Sequence, residues 1–148
     1  MILRLTKQFS FEMAHALPAY DGKCRNIHGH SYKLFVTVEG MPLQQAGTTQ
    51  DGMVLDFSRL KALVTERVVT PFDHALVLPG EDGTNGEQSI EIQGHPYGAK
   101  LVMLDFQPTT ENLLMHFARL LEDAMPEGVR LYSLKLYETE SSCAELIR

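Results

Sequence analysis

The chain has 148 residues, of which 44% are hydrophobic and 22% are charged, a composition typical of one globular domain covering residues 1–148. Nineteen acidic against thirteen basic side chains give a formal charge of −6, which argues against a protein that neutralises nucleic-acid phosphates. No stretch approaches the roughly 18 consecutive apolar residues of a membrane-spanning helix, and the N-terminus lacks the apolar run of a signal peptide. Two cysteines are too few for a disulfide framework. We therefore expect a cytoplasmic protein with neither a membrane nor a nucleic-acid partner.

Two alternating segments predict the first two strands. Residues 2–13 place apolar and polar side chains on opposite sides, which is the period-two pattern of a strand, and His15 continues the apolar side. A loop rich in turn residues follows. The second alternating segment covers residues 30–39, and His28 and His30 fall on one of its faces.

Apolar residues at helical spacing predict two helices. Asp56 is expected to cap the first helix, and Pro71 is expected to end it. The second helix is expected to begin at Thr109, directly after a proline, and to end at the proline and glycine of residues 126–128.

The rest of the chain contributes turns and further strands. Residues 79–98 hold five glycines and two prolines, which predicts a long loop or an irregular hairpin before a short strand over residues 100–106. Residues 129–138 alternate again, and a last short strand is expected near Leu146. Because the strands come in runs with two helices between them, we predict an α+β fold, an antiparallel four-stranded sheet with two helices on one face. The open edges of such a sheet favour assembly through edge strands.

Three histidines form the most informative pattern. His28 and His30 stand two residues apart at the start of a strand and project the same way, while His15 ends the preceding strand. Three imidazoles with an open fourth position are typical of a catalytic zinc site. Surface His-x-His pairs also occur by chance, so the spacing alone leaves both interpretations open. A cupin-type site would require a glutamate about four residues further on, where Leu34 and Phe35 stand.

Two further groups of residues suggest proton transfer. Cys24 lies in a loop between Lys23 and Arg25, and neighbouring cations favour the thiolate, which acts as a base or nucleophile. A buried, inert thiol is the alternative. Asp73 and His74 match a carboxylate that orients an imidazole for proton transfer, although neighbours in sequence need not touch.

Glu138 lies at the end of a predicted strand whose same-face neighbours are apolar. A carboxylate there is costly unless it meets a specific donor such as the amidine-like edge of a ligand, and an exposed strand end is the alternative. Cys143, His95 and His116 have no partners in the sequence, so we expect them to be structural or surface residues.

Six segments occur together in an order that resembles a known family. They are residues 11–15 (FEMAH), 24–30 (CRNIHGH), 55–57 (LDF), 73–74 (DH), 108–113 (PTTENL) and 138–139 (ET). Together they resemble the 6-pyruvoyltetrahydropterin synthase family over nearly the whole chain. The spacing between Cys24 and the His-Gly-His motif resembles the bacterial 6-carboxytetrahydropterin synthase branch of queuosine (7-deazapurine) biosynthesis, whereas the tetrahydrobiopterin branch has a longer gap.

The resemblance implies a lyase that converts 7,8-dihydroneopterin triphosphate to 6-carboxy-5,6,7,8-tetrahydropterin and releases acetaldehyde and triphosphate. It implies that Zn²⁺ is bound by three ligands, His15, His28 and His30. It also implies that Cys24 is the catalytic base and that Asp73 and His74 complete its proton relay.

The resemblance further implies that Glu138 anchors the guanidine-like edge of the pterin, in a pocket lined by Thr109, Thr110 and Glu111. We also predict that Lys23 and Arg25 meet the triphosphate, because the chain is otherwise acidic and these cations flank the expected base. Tuning of the thiol or plain solvation is the alternative for these two cations.

For the fold, the resemblance implies the tunnelling fold, in which sheets from three subunits close into a barrel and two trimers stack into a homohexamer with sites at subunit interfaces. By the same resemblance, residues 79–98 form a longer segment than in compact members of the family, and its role is open between a lid over the site and an addition at the rim. Two alternatives remain open for the function. The first alternative is a protein that produces the 6-pyruvoyl compound, and the second is a protein that binds pterin or zinc without turnover. A related variant in folate synthesis has a glutamate in the region where this chain has Cys24.

Overall fold

The computed structural model describes residues 1–81 and 85–148. Its strands are β1 (Leu3–His15), β2 (His28–Gly40), β3 (Ala75–Pro79), β4 (Gly86–Ile92), β5 (His95–Leu104), β6 (Val129–Thr139) and β7 (Ser142–Ile147). Its helices are α1 (Phe57–Val64), α2 (Thr70–Phe72) and α3 (Thr110–Glu122), with a π-helical turn over Thr65–Val69 and a 3-10 turn over Lys23–Arg25. None of the helices in this part of the chain combines the length and apolar character that crossing a bilayer requires.

The described strands form one seven-stranded sheet in the order β4-β5-β3-β1-β2-β6-β7. The pairs β1–β2, β2–β6, β6–β7 and β4–β5 are antiparallel, whereas β3 runs parallel to both β1 and β5. The α+β class is confirmed, but the predicted count of four strands is wrong. The four antiparallel strands exist as one part of the sheet, and β3, β5 and β4 extend it.

The sequence predicts one strand of the extension, over residues 100–106, preceded by a long loop or an irregular hairpin, but the outer strand β4 lacks the usual sequence signal. All seven residues of β4 are exposed, so no alternation of buried and exposed positions marks it. The turn between β4 and β5 is formed by Gln93 and Gly94, which both have positive φ, as two-residue hairpin turns require. The glycine-rich segment 79–98 therefore contains a hairpin, and the strand expected over residues 100–106 begins earlier, at His95. Residues 82–84 of that segment lie outside the described residues.

The helices cover one face of the sheet, and the core lies between them. Alternate side chains of β1 and β2 are buried on this face together with residues of β3 and β6, and the helices supply Leu60, Val64, Val68, Phe72, Leu113, Phe117 and Leu121. The ring of Phe117 packs edge-on against Phe11, with centroids 6.1 Å apart, and against Phe72 at 4.9 Å. These ring contacts attach helix α3 to β1 and to α2.

Side-chain caps begin both long helices, and they bear out the predicted cap at Asp56 and the predicted start of the second helix at Thr109. The Asp56 carboxylate accepts a hydrogen bond from the Ser58 N–H at 2.7 Å, and the Thr109 hydroxyl accepts one from the Asn112 N–H at 3.2 Å. The prediction that Pro71 ends the first helix is off by one residue. The helical backbone continues through Thr65–Val69 into α2 and ends at Phe72, the residue that follows Pro71.

The polar face of the sheet carries an ion-pair network in which a buried carboxylate meets two exposed arginines. Glu39 is only 4% exposed and accepts a hydrogen bond from Arg4 Nε at 3.0 Å, while Arg130 also pairs with its carboxylate. The Arg4 guanidinium in turn lies over the Tyr132 ring, 3.4 Å from its centroid. The hydrogen bond from Arg4, and the bond and charge of Arg130, hold the pKa of Glu39 below its ordinary value.

This network predicts a specific acid sensitivity. A carboxylate whose pKa is depressed by folding stabilises the protein above its unfolded pKa of about 4, and the contribution is lost as the pH falls through the lower, folded value. We expect the wild-type melting temperature to fall steeply below about pH 4, and Glu39→Gln to reduce the steepness of that fall. Thermal unfolding between pH 7 and pH 2.5 measures it, with Glu140→Gln on an exposed residue as the control. Parallel curves for wild type and Glu39→Gln would contradict the prediction.

Candidate active site

Three imidazole rings meet where β1 ends and β2 begins. The antiparallel register places His15 directly opposite His28 and Met13 opposite His30. Because residues two apart on a strand point to the same face, His28 and His30 project together toward His15. One ring nitrogen from each histidine lies within 4.8 Å of the other two. The structure therefore brings together the three histidines that were predicted as metal ligands.

Backbone carbonyls fix the orientation of two of these rings. Nδ1 of His15 lies 2.8 Å from the Pro108 carbonyl oxygen, and Nδ1 of His28 lies 2.7 Å from that of Asn26. A carbonyl oxygen only accepts hydrogen bonds, so each Nδ1 carries the ring proton. The Nε2 atoms of the two rings, 3.1 Å apart, then present lone pairs to each other. A cation between them satisfies both, and such Nδ1–H bonds to carbonyl oxygens are typical of histidines that bind metal.

The third ring completes a set that fits a metal ion. Nε2 of His30 is buried without a hydrogen-bond partner within the described part of the chain, and it lies 3.5 Å from Oε1 of Glu138. Burial lowers the pKa of both His15 and His30, which favours the neutral rings that metals require. The residues present thus match a site with three imidazole ligands and an open fourth position.

Glu138 and the start of α3 form one wall beside this cluster. The Thr110 hydroxyl donates a hydrogen bond to Oε2 of Glu138 at 2.6 Å. Thr109, the cap of α3, immediately precedes Thr110, and Glu111 is exposed in the first turn of the helix. Of the four residues predicted to bind the pterin, Glu138 and Thr110 are therefore in direct contact and Thr109 is adjacent to them along the chain.

Tyr32 belongs to the same cluster, although its role escaped prediction. Its ring is fully buried, with its centroid 5.6 Å from that of His30 and 6.2 Å from that of His15. Burial and the charge of Glu138 raise the pKa of the Tyr32 phenol far above its ordinary value, so it stays protonated. Its hydroxyl finds no hydrogen-bond partner among residues 1–81 and 85–148. The sequence did contain one indication of this position, because Tyr32 alternates with His28 and His30 on the same face of the strand.

The loop before β2 places Cys24 between two exposed cations. Lys23, Cys24 and Arg25 form the 3-10 turn, in which Cys24 is half-buried while both cations face solvent. The Cys24 carbonyl accepts a hydrogen bond at 2.9 Å from the N–H of Leu17, two residues after His15. This bond ties the loop to the end of β1 that carries the first imidazole.

Asp73 and His74 contact each other and are attached to β1. Nδ1 of His74 lies 3.0 Å from Oδ1 of Asp73, and the Glu12 N–H donates to the same carboxylate oxygen at 2.9 Å. The His74 N–H donates to the Glu12 carbonyl at 2.6 Å, with His74 at φ +59°. The bond from Glu12, followed by the bond and charge of His74 and the charge of Lys100, lowers the pKa of Asp73. The carboxylate is therefore ionised and orients an imidazole that is 77% exposed.

An open depression of about 520 Å³ borders both the cluster of three imidazoles, at His30, and the Asp73–His74 pair, at His74. The residues that line it include Glu12, Ile27, His30, Ser31, His74 and Lys100. It is thus bounded by one of the three imidazoles, by the His74 of the carboxylate–imidazole pair and by a residue of the loop that holds Cys24. A ligand in it would contact residues contributed by β1, β2 and β5.

Comparison with known proteins places the chain in a family. The family described as "6-pyruvoyl tetrahydropterin synthase" matches residues 4–148. The chain belongs to this family. The resemblance inferred from the six segments is thereby confirmed over nearly the whole sequence.

Relatives within the 6-pyruvoyltetrahydropterin synthase family carry a more specific name. A Haemophilus influenzae protein named 6-carboxy-5,6,7,8-tetrahydropterin synthase is 38% identical over 146 residues, which cover 97% of this chain and 98% of that protein. A Synechocystis protein of the same name is 35% identical over 138 residues, covering 93% and 88%. A solved structure of a catalytic residue mutant of 6-pyruvoyltetrahydropterin synthase from Plasmodium vivax superposes with a TM-score of 0.70 at 22% identity, covering 100% of this chain and 98% of that one. This last similarity concerns the fold.

The remaining histidines and the second cysteine have other surroundings. His116 of α3 packs against the rings of Phe106, at a centroid distance of 5.4 Å, and Phe72, at 6.0 Å. His95 is exposed at the start of β5, and Cys143 is exposed on the edge strand β7. Their positions are compatible with the structural or surface role that we predict for them.

Proposed function

We propose that the protein is a 6-carboxy-5,6,7,8-tetrahydropterin synthase, which converts 7,8-dihydroneopterin triphosphate to 6-carboxytetrahydropterin with release of acetaldehyde and triphosphate. The observation that carries the proposal is the convergence of three ring nitrogens within 4.8 Å beside the carboxylate of Glu138. Relatives with this name in Haemophilus influenzae and Synechocystis support it, as does the short spacing between Cys24 and the His-Gly-His motif.

We further propose that the metal is Zn²⁺ and that His15, His28 and His30 hold it. When bound, zinc acts as a Lewis acid toward the hydroxyl groups of the substrate side chain, which acidifies the neighbouring C–H bond. The two carbonyl oxygens that accept the Nδ1 protons of His15 and His28 keep both Nε2 lone pairs available for this ion.

In this proposal the protein's own residues hold and move the proton. The Cys24 thiolate removes the carbon-bound proton of the substrate, and His74 passes the proton on. Asp73 accepts the bond from Nδ1 of His74, a residue that lines the depression, and so leaves Nε2 of His74 free for the exchange. Asp73 remains ionised because the Glu12 N–H bond lowers its pKa, so it stabilises the protonated imidazole as the proton arrives.

Glu138 is proposed to bind the guanidine-like edge of the pterin, with Thr109, Thr110 and Glu111 as neighbours. The hydrogen bond from Thr110 leaves its second oxygen, Oε1, for a ligand. Glu138→Gln keeps the shape but removes the charge of this acceptor, so we expect KM to rise roughly tenfold or more with little change in kcat. Steady-state kinetics and metal analysis of the same preparations test this, with Glu140→Gln as the control. An unchanged KM, or a loss of metal, would contradict the anchoring role.

Lys23 and Arg25 are proposed to meet the triphosphate. Both are exposed on either side of Cys24, in a chain whose formal charge is −6. Replacing both by alanine is expected to raise KM for the triphosphate substrate about tenfold, because charge-assisted phosphate contacts are lost. The effect should shrink as the salt concentration rises. If the apparent affinity is the same in wild type and double variant, these cations serve another purpose.

The oligomer is part of the same proposal. Strands β4 and β7 are the two edges of the described sheet, and pairing between copies would cover them. We propose a barrel of three sheets and a dimer of such trimers in the cytoplasm, with active sites at subunit interfaces. Sedimentation velocity is expected to give a mass of six chains of 16.6 kDa each, and a monomer at micromolar concentration would contradict the assembly.

Product identification tests the function directly. The zinc-loaded protein is incubated with 7,8-dihydroneopterin triphosphate, and the products are separated and identified by mass. A 6-carboxytetrahydropterin together with acetaldehyde is the expected result. A 6-pyruvoyl product would assign the sister activity of the family instead, and the absence of turnover at all metal loadings would leave a binding protein.

A further inference from the structure

The side chain of Lys100, on strand β5, contacts the turn that carries the proposed proton relay. Nζ of Lys100 donates a hydrogen bond to the Asp73 carbonyl oxygen at 3.0 Å and another to the carbonyl oxygen of Thr70. These contacts span 27 and 30 residues of sequence. Lys100 lies opposite Ala75 of β3, so its stem lies beside the segment that follows the relay.

The Thr70 carbonyl needs this donor because the helix ends there. In a continuing helix it would accept the N–H of His74, four residues on. That N–H instead donates to the Glu12 carbonyl at 2.6 Å, which is how His74 is attached to β1. Lys100 therefore satisfies a carbonyl left free by the very bond that orients His74, and its positive charge suits the C-terminal end of a helix.

We propose that Lys100 is a positioning residue for the Asp73–His74 pair, supplied by the β4–β5 hairpin. The hairpin thereby has a function beyond extending the sheet. Strand β3 lies between β5 and β1, so Lys100 of β5 holds the turn before β3 on one side while Glu12 of β1 holds it on the other. The proposal rests on the proposed function, since it assigns Lys100 to the relay of that reaction. The charged and titratable groups around the pair are Lys100 from β5, Glu12 from β1, and Asp73 and His74 themselves.

A purely structural role for Lys100 would take a different form. Glu87 of β4 stands directly opposite Lys100 in the antiparallel register, and a surface cross-strand pair between them would contribute only to the sheet. The ammonium group instead reaches the two carbonyl oxygens of the turn. Glu87→Gln is therefore the matched control for the loss of a charge at this position.

The first experiment measures positioning without using activity. Hydrogen–deuterium exchange with mass spectrometry is followed on peptides covering residues 70–78 in wild type, Lys100→Met, Lys100→Arg and Glu87→Gln. Lys100→Met is expected to speed exchange in this segment about tenfold, because the bond of the His74 N–H to Glu12 then opens more often. Lys100→Arg keeps the charge and the donors and should restore most of the protection, while Glu87→Gln should match wild type. Unchanged exchange in Lys100→Met would overturn the proposal.

The second experiment connects positioning to the reaction. Lys100→Met is expected to lower kcat about tenfold at unchanged KM. The variant loses the charge-assisted hydrogen bonds that hold the relay, and this loss affects the proton transfer and not the binding of the substrate. In the His74→Gln background it should cause no further loss, because residues that act through one another are not additive. Equal losses of kcat in both backgrounds would show an independent structural effect and overturn the proposal. If wild type forms no product, the proposed function fails and the exchange experiment alone decides the role of Lys100.

Discussion

Purified His28→Ala protein is expected to contain almost no bound metal, where the unaltered protein contains about one equivalent per chain. His28 faces His15 with its Nε2 at 3.1 Å, and its own Nδ1 is held by the Asn26 carbonyl. Alanine removes one of three ligands. The two imidazoles that remain are fewer than the three protein ligands that a catalytic zinc site requires. Turnover should fall by at least about 10³-fold, because the Lewis acid of the reaction is lost with the ion.

Elemental analysis of both proteins after the same purification measures this effect. His95→Ala is the matched control, because His95 is exposed at the start of β5, and it should keep both metal and activity. Circular dichroism should show the same fold for all three proteins, since His28 stands at the first residue of β2 and not within the apolar core. Equal metal content in wild type and His28→Ala would exclude the three-histidine site.

The nature of the metal is tested on the unaltered protein. Removal of the metal by a chelator followed by titration with Zn²⁺, Mn²⁺ or Mg²⁺ is expected to restore turnover best with zinc, because imidazole ligands suit zinc and oxygen ligands suit the other two ions. Restoration by Mg²⁺ alone would contradict a site built from three imidazoles.

The geometry of the metal cluster was predictable because it depends on local periodicity. Alternation along β1 and β2 gives each side chain its face, so His15, His28 and His30 could be assigned to one side of the sheet before the strand pairing was known. The register that sets His15 opposite His28 is then enforced by the same apolar alternation, since a slip of one residue would expose the core face. The cap at Asp56 was predictable for the same reason, because a cap acts within a few residues.

Contacts between distant segments were not predictable from the sequence. The hydrogen bonds of Lys100 depend on the parallel pairing of β3 with β1 and β5, and exposed residues in β4 give no pattern that indicates this pairing. The contact between Thr110 and Glu138 was not predictable either, because it depends on how α3 packs over the sheet. For Tyr32, periodicity predicted burial correctly but gave no sign that its ring would pack against those of His15 and His30.

Cys24→Ala is expected to lower turnover by about 10³- to 10⁴-fold, because it removes the proposed base while leaving the rest of the site in place. Metal content and KM should stay near the wild-type values, since Cys24 contributes only its backbone carbonyl to the bond with Leu17 and alanine retains that carbonyl. Cys24→Ser keeps the size of the side chain but replaces the thiol by a weaker acid, and we expect it to remain severely impaired.

Cys143 provides the matched control for this experiment. It is the only other cysteine of the chain, it is exposed, and it lies on the edge strand β7, so Cys143→Ala should keep full activity. Single-turnover measurements separate the chemical step from product release and assign the loss in Cys24→Ala to proton removal. If Cys24→Ala retains more than about a tenth of wild-type turnover, the base lies elsewhere, and His74 with its exposed imidazole becomes the first residue to test.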